Sequence, residues 1–349
     1  MNYYIGLDAH AATCTAVVVN DRGDIICRET FDTSEANLVG FIRRVPEGKT
    51  HLTFEECHLA QWLYVLLNEH VDRLVVCNPV YVAKKQGAKT DFRDALHLAQ
   101  ELRTGHLKAV FHDNSRWIEL RTLVNSYLSL VEEIVRTKNR LKAAFRSHGL
   151  ATDTDKFYTT PERAKELPHE SAKFVAESLF EQIRVLEKYK SEYRDFFEKN
   201  IKRHRPIRNL DSVPGIDAVR ANVIMAVVCQ PQRFRNKHQF WGYCMLVRHI
   251  QISGGRIYGN KRVHGRAELR DVFMGAAEST LRTETTLRVY YDGLRAKGLS
   301  DKEAKIALAR KIAALCLALL KNNDTYKNDH EQQQQGRTQA RKSLNMKTV

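Results

Sequence analysis

Glycine and proline are scarce, 17 and 7 among 349 residues. Together they make about 7% of the chain, against about 12% in average usage. That scarcity excludes a collagen-like rod, argues against a loop-rich sandwich and favours helix. Long apolar runs are missing as well. No stretch approaches the roughly 20 apolar residues of a membrane span. The opening MNYYIGLDAH has no basic stretch followed by an apolar one, so a secretory leader is not expected. A cytoplasmic protein with no membrane partner follows. The cysteines lack organisation rather than number. Cys14, Cys27, Cys57, Cys77, Cys229, Cys244 and Cys316 are odd in count and scattered. None forms a C-x-x-C pair or a zinc-spaced cluster, so reduced thiols are expected, with no disulfide framework and no structural zinc.

What the chain does have is positive charge, unevenly placed. Its net charge is +15. Residues 1–112 carry 12 basic and 14 acidic side chains, whereas residues 200–275 carry 14 basic against 4 acidic. An excess of that size in one segment suits a polyanion, and nucleic acid is the commonest. Hydrophobic residues at 43% are enough for real cores, and the length suggests two or three domains.

Four segments emerge. In residues 1–112 the patterning predicts strands over 2–8, 13–20, 24–31, 50–55 and 73–78. Asp21-Arg22-Gly23 marks a hairpin turn, and helices are expected from Ser34 to before Pro46, over 59–69, and from Thr90 to Gly105. The order β-β-β-α-β-α-β-α is that of an α/β ribonuclease H-like domain. Residues 113–205 read as two long amphipathic helices in a helical hairpin, coiled-coil-like. One seam is Trp117, Leu120, Val124, Tyr127, Val131, Ile134, Lys138, Leu141 and Phe145. The second is Ala172, Val175, Leu179, Gln182, Leu186, Tyr189, Tyr193 and Phe196, after a polar linker with Pro161 and Pro168. Such a hairpin packs on itself or on a second subunit. Residues 206–321 read as a basic, mainly α segment ending in IALARKIAALCLALL, and 322–349 as a disordered polar tail.

Acids fall at matching places of that frame. Asp8 ends the first strand and Glu55 the fourth, with Glu56 an equal competitor on alternation alone. Asp91 and Asp94 lie three apart near a helix start, hence on one face. The first and fourth strands are neighbours in this fold and the last helix packs across them, so these acids converge. Hard carboxylate ligands suit Mg²⁺, and two ions about 4 Å apart can activate a water and stabilise a leaving oxygen. Taken singly, each is equally an ordinary turn or cap acid. His58 and His97 lie nearby without an assigned role.

Two features stand out in the basic segment. L-D-S-V-P-G-I-D-A-V-R-A-N-V-I at 210–224 reads as half of a helix-hairpin-helix, its turn at Gly215 offering N–H groups to a phosphate. Asp217 stands where a second glycine belongs. In I-S-G-G-R-I-Y-G-N-K-R-V-H-G-R-A-E-L-R at 252–270, Ser253 precedes two glycines and is followed by Arg256, Lys261, Arg262, Arg266 and Arg270. A hydroxyl becomes a useful nucleophile only against a phosphate whose charge is neutralised, which arginines and metal ions can do. A plain polar turn is the competing reading.

These residues together resemble a known family. G-L-D-A-H, F-E-E-C-H-L-A-Q-W-L, V-V-C-N-P-V-Y-V and K-T-D-F-R-D-A resemble the N-terminal half of DEDD insertion-sequence transposases. V-P-G-I-D-A-V-R-A-N-V-I, R-F-R-N-K-H-Q-F-W-G-Y, I-S-G-G and L-R-D-V-F-M-G-A-A are similar to that family's C-terminal half. The resemblance covers about 1–320, with both halves in order. It implies a bridge-RNA-guided serine recombinase whose N-terminal domain is RuvC-like. The acid tetrad is then Asp8, Glu55, Asp91 and Asp94, with E-x-C favouring Glu55, and Ser253 is the nucleophile that forms a covalent phosphoserine link. The implied cofactor is Mg²⁺, the partners double-stranded DNA and a structured non-coding guide RNA, and the assembly a dimer or tetramer. Met245-Leu246-Val247-Arg248 and Val263-His264-Gly265-Arg266 depart from the family's usual stretches around the serine. Two other functions remain in view: a RuvC-like junction nuclease using water, and a non-catalytic nucleic-acid-binding protein.

Overall fold

The computed structural model describes residues 1–81, 90–113, 117–152 and 156–327. Val82 and Lys89, which belong to two of the quoted motifs, and the expected tail beyond 327 lie outside them. The chain divides into two compact units, Met1–Ser115 and Arg116–Val349.

The first unit is built on a five-stranded mixed sheet of order β3-β2-β1-β4-β5. β1 (Asn2–Ala9), β2 (Thr13–Asn20) and β3 (Ile25–Asp32) form an antiparallel meander, turned between β2 and β3 by Gly23 at φ +92. α1 (Glu35–Arg43) starts where the Ser34 hydroxyl accepts from the Asn37 N–H. β4 (Lys49–Glu55) then pairs parallel with β1, and β5 (Arg73–Cys77) parallel with β4 across α2 (Ala60–Leu67). α3 (Asp91–Thr104) is capped by Thr90, whose hydroxyl accepts from the Arg93 N–H. It is stopped by Gly105 at φ +75. The mixed sheet with helices on its faces agrees with the ribonuclease H-like order.

Strand alternation sorts the two faces. Tyr3, Ile5 and Leu7 of β1 join Leu52 and Phe54 of β4 in a core with Leu38 and Phe41 of α1 and Leu63 and Leu67 of α2. The opposite face carries Val17 and Val19 against Ala95 and Ala99 of α3. There Gly6 lets the helix lie directly on β1. A Cβ at Gly6 would stand 2.0 Å from the Ala95 carbonyl oxygen and 2.6 Å from the Ala99 nitrogen. β1 and β4 run parallel, so Asp8 and Glu55 reach the same edge of the sheet.

The second unit is mainly helical. α4 (Trp117–Arg146) and α5 (Glu170–Arg203) pack on one another, with Lys138 Nζ 2.6 Å from Glu187 Oε1. The α4 seam is buried as expected at Trp117, Leu120, Val124, Tyr127, Ile134, Leu141 and Phe145. The α5 stripe is rotated from the expected one. Ala176, Leu179, Ile183 and Phe197 are buried, while Val175, Tyr189 and Phe196 face solvent. The linker is less polar than its composition suggests, because Phe157, Ala164 and Leu167 complete a core with Phe145 and Phe180.

Beyond α5 come α6 (Arg205–Asp211), α7 (Ala218–Val228), α8 (Lys237–Tyr243), α9 (Ala267–Thr280), α10 (Thr286–Ala296) and α11 (Asp301–Asn322). A two-stranded ribbon, β6 (Arg248–Ser253) and β7 (Arg256–Arg262), sits between α8 and α9. The segments expected as 113–205 and 206–321 fold as one unit. Buried Asn222 of α7 donates to the Phe197 carbonyl, and Asn200 of α5 donates to Asn222 Oδ1. The tail also begins later than residue 322. Tyr326 is tied back by its N–H to Ser212 and by its hydroxyl to Thr286.

Candidate active site

The sheet edge where β1 ends brings part of the acid set together. Ligand atoms of Asp8, His10 and Asp91 all lie within 4.8 Å of one another. Asp91 is the first residue of α3, positioned by the Thr90 cap and by the close seat of α3 on Gly6. Burial raises the Asp8 carboxyl above its ordinary value. His10, with Nε2 3.5 Å from Oδ2, pulls it back, and the nearby Asp91 and Asp94 carboxylates push it up again. Carboxylates that repel one another in a half-buried site are what a divalent cation stabilises, and the donors are hard oxygens plus one imidazole. The residues therefore fit a metal of the Mg²⁺ class. Asp94 is half-buried on the same first turn, outside the tight group of three.

Glu55 is exposed and also outside that group. The parallel register pairs Leu7 with Phe54, so the next residues, Asp8 and Glu55, stand level on the face that carries α3. Glu56 points elsewhere. Its Oε2 lies 2.6 Å from Nε2 of buried His112, whose Nδ1 meets Gln61 Oε1 at 3.0 Å. Gln61 Nε2 in turn donates to the Asp113 carbonyl, which orients the amide and makes its oxygen the acceptor from His112. His58 is exposed, and buried His97 lies 3.8 Å from Glu101 within α3. His10 is the residue that sequence reading left out, although Asp8-x-His10 at a strand end has the period-two spacing that puts both on one face.

In the second unit, Ser253 ends β6 and pairs with Arg256 across a two-residue turn. Gly254 and Gly255 there have φ of +55 and +75, as a type I′ hairpin requires. The segment, which the sequence places in a mainly α region with a plain polar turn as the competing reading, is thus a β-ribbon with the serine beside its tip. Ser253, Arg256 and Lys261 are all exposed. Arg262 lies on β7, its backbone paired with Arg248. Arg266 sits at the N-cap position of α9, and Arg270 lies 3.7 Å from Asp271. Gly215 is occupied with packing. At φ +86, a Cβ there would come 2.4 Å from the Ala276 carbonyl of α9, and its own carbonyl accepts from Arg220. Asp217, in the position of the missing glycine, caps α7 by accepting from the Arg220 N–H.

Comparison with known proteins matches both halves. Residues 5–149 fit the DEDD transposase model of the IS110 group, described as Transposase. Residues 207–292 fit the model described as Transposase IS116/IS110/IS902 family. The chain is 23% identical over 352 residues to a Sinorhizobium fredii protein with a provisional transposase name, y4qE, covering 90% of this chain and 88% of that one. It is 26% identical over 194 residues to the uncharacterized 42 kDa protein of insertion element IS900 from Mycobacterium paratuberculosis, 53% of this chain and 48% of that one. A third relative is the uncharacterized 43.6 kDa protein of IS110 from Streptomyces coelicolor, 26% identical over 118 residues, 34% of this chain and 29% of that one. Among the described residues no helix is long and apolar enough to cross a membrane.

Proposed function

The chain belongs to the IS110 family of insertion-sequence transposases, and from that premise we propose that it cuts and rejoins DNA through Ser253 with Mg²⁺ held by Asp8, Glu55, Asp91 and Asp94. The observation that supports this most directly is the meeting of Asp8 and Asp91, from a strand end and a helix start, within 4.8 Å. Two bound Mg²⁺ ions would supply charge neutralisation at the phosphate. Asp8 and Asp91 would hold that charge in place, and Glu55 would extend the site along the next strand. Ser253 Oγ attacks the phosphorus, forming a P–Oγ ester as the bond to the leaving strand oxygen breaks. The hydroxyl proton passes to solvent or to the leaving oxygen, and the reverse attack by a strand hydroxyl restores DNA and serine. Because the ester conserves the bond, rejoining needs no nucleotide cofactor. Arg256, Lys261, Arg262, Arg266 and Arg270 hold phosphates.

A structured guide RNA from the element's non-coding end belongs to the same proposal, as does assembly into a dimer or tetramer through the α4–α5 helical hairpin. The net +10 of residues 200–275 supports the binding of extended polyanions there.

The test is an adduct assay. The protein is expressed with its flanking DNA so that RNA co-purifies, then mixed with labelled element-junction DNA and Mg²⁺ and denatured. Wild type should yield a protein-linked DNA band that Ser253→Ala and Asp91→Asn both lack. Nicked DNA without an adduct, with Ser253→Ala still active, would replace the serine by water. Salt-sensitive binding with no cleavage, unchanged by Asp8→Asn, would make the chain a binding protein.

A further inference from the structure

The ribbon β6–β7 has two chemically different faces, and only one of them bears Ser253. Paired residues of an antiparallel ribbon share a face, and neighbours alternate. Ser253 pairs with Arg256, and Gln251 with Gly259, on one face. Ile252 pairs with Ile257 on the other, where Ile250 also falls. The register slips by one between Gln251 and Ile252, so Tyr258 is an extra residue that bulges beside the isoleucine pair. Ile250, Ile252, Ile257 and Tyr258 are 59%, 61%, 67% and 66% exposed, among the most exposed large apolar side chains of the described residues. A lone two-stranded ribbon is marginal in water, and uncovered isoleucines at its tip make it more so. Something covers them in the working state.

The charge of the same segment says what. Residues 248–262 contain Arg248, Arg256, Lys261 and Arg262 and no acidic residue. By register the ribbon is apolar on one face and cationic on the other, where Arg256 and Lys261 fall with Ser253, so it repels a basic partner and has nothing to offer a protein's cations. It complements a polyanion that presents apolar and aromatic surface between its charges. We propose that the ribbon enters a groove of duplex DNA, with Ile252 and Ile257 as a wedge against a base step while Arg256 and Lys261 grip flanking phosphates. A two-stranded ribbon fits a DNA groove, and isoleucine is among the side chains that partly unstack base steps. The wedge opens the duplex on one side of the ribbon and leaves the opposite, Ser253-bearing face to the backbone. The proposal rests on DNA being the substrate and is independent of whether Ser253 is the nucleophile.

The experiment uses the full chain and short element-junction duplexes in which 2-aminopurine replaces adenine at successive positions. Wild type should raise the fluorescence at one or two adjacent steps. Ile252→Ala/Ile257→Ala should abolish the rise and weaken duplex affinity about tenfold, from the lost apolar contact, with an unchanged salt slope. Arg256→Ala/Lys261→Ala should instead lower the slope by about 2, at roughly 0.9 per phosphate. Ser253→Ala should keep the fluorescence rise, which separates failure of the wedge from failure of the serine chemistry. A milder variant, Ile252→Val, should retain the rise and so guard against loss of the ribbon itself. No unstacking by wild type, or unstacking undiminished in the alanine pair, overturns the proposal. So does a change of oligomeric mass in the alanine pair with unstacking intact, which would assign the face to a second copy of the chain.

Discussion

Gly6→Ala converts one methyl group into a test of how the acid cluster is held. The added Cβ would lie 2.0 Å from the Ala95 carbonyl oxygen and 2.6 Å from the Ala99 nitrogen, both backbone atoms of α3. Neither can swing aside as a side-chain tip would. Restoring ordinary contact requires α3 to retreat by more than about 1 Å, since comfortable separations are about 3.5 Å. Overpacking of this kind costs about 1–3 kcal/mol. The retreat carries Asp91 and Asp94 away from Asp8, and misplacement by about 1 Å at a reacting centre lowers rates by roughly 10²-fold. Urea unfolding followed by circular dichroism gives the stability loss, and Mg²⁺-dependent cleavage of junction DNA gives the rate. Gly40→Ala is the control. It lies in α1 with only the Arg44 guanidinium, 3.7 Å away, within reach, and should be neutral or stabilising by up to about 1 kcal/mol. If Gly6→Ala keeps stability within about 0.5 kcal/mol and activity within twofold, α3 does not set the geometry of the acids and the reasoning fails.

Three other substitutions probe the charges themselves. Asp8 has a folded-state pKa raised first by burial and further by Asp91 and Asp94, so the folded protein holds its proton more tightly than the unfolded chain. Stability therefore falls as pH rises from below the ordinary carboxylate value through the raised one, and the cost stays at neutral pH. Asp8→Asn should melt higher than wild type at pH 7 without divalent ions, lose that advantage when Mg²⁺ is added, and be inactive. An equal or lower melting temperature in metal-free buffer contradicts the strained-carboxylate account. At the neighbouring strand end, Glu55→Gln should lower cleavage by about 10²–10³-fold. Glu56→Gln should cost about 1 kcal/mol, given the 2.6 Å contact to His112 and the 40% exposure of its side chain, and leave cleavage within a few-fold. The opposite pattern would transfer the metal role to Glu56.

Much of the first unit was legible because its local signals agree with its packing. Ser34 and Thr90 cap helices with their own hydroxyls, Gly105 ends α3 at positive φ, and β2 carries the apolar run 16–19 because it is buried on both faces. The choice between Glu55 and Glu56 was not legible from alternation. What bears on it is tertiary: His112, 56 residues away, engages Glu56, and the register with β1 sets Glu55 level with Asp8. On α5 the stripe was legible in period and wrong in phase. The expected and observed stripes share Leu179, Leu186 and Tyr193, and differ in whether Val175, Gln182, Tyr189 and Phe196 or their C-terminal neighbours complete the alternation. Ile183 beside Gln182 was the informative contrast, while Phe196 beside Phe197 gave none. The ribbon was missed for another reason. Glycines at 254 and 255 suggested a plain polar turn in a mainly α segment, although Ile250-x-Ile252 already alternated and two residues at positive φ are what a tight hairpin uses.

The two chemical parts of the chain are held in different ways, and this has consequences for how each can fail. Asp8 and Asp91 are fixed by a buried sheet, a capped helix and a backbone-to-backbone seat at Gly6, so their geometry is set by folding alone. Ser253 stands on a ribbon whose isoleucine face is uncovered and whose tip is two glycines long. On the wedge proposal its geometry is completed when DNA buries that face. Substitutions around the acids will therefore change stability and activity together, as at Gly6. Substitutions on the ribbon will leave the unfolding of the free protein nearly unchanged and act only once DNA is bound. On the proposed mechanism that division suits a transposase: the acids stay assembled in the free protein, while the serine meets an ordered phosphate only with its duplex.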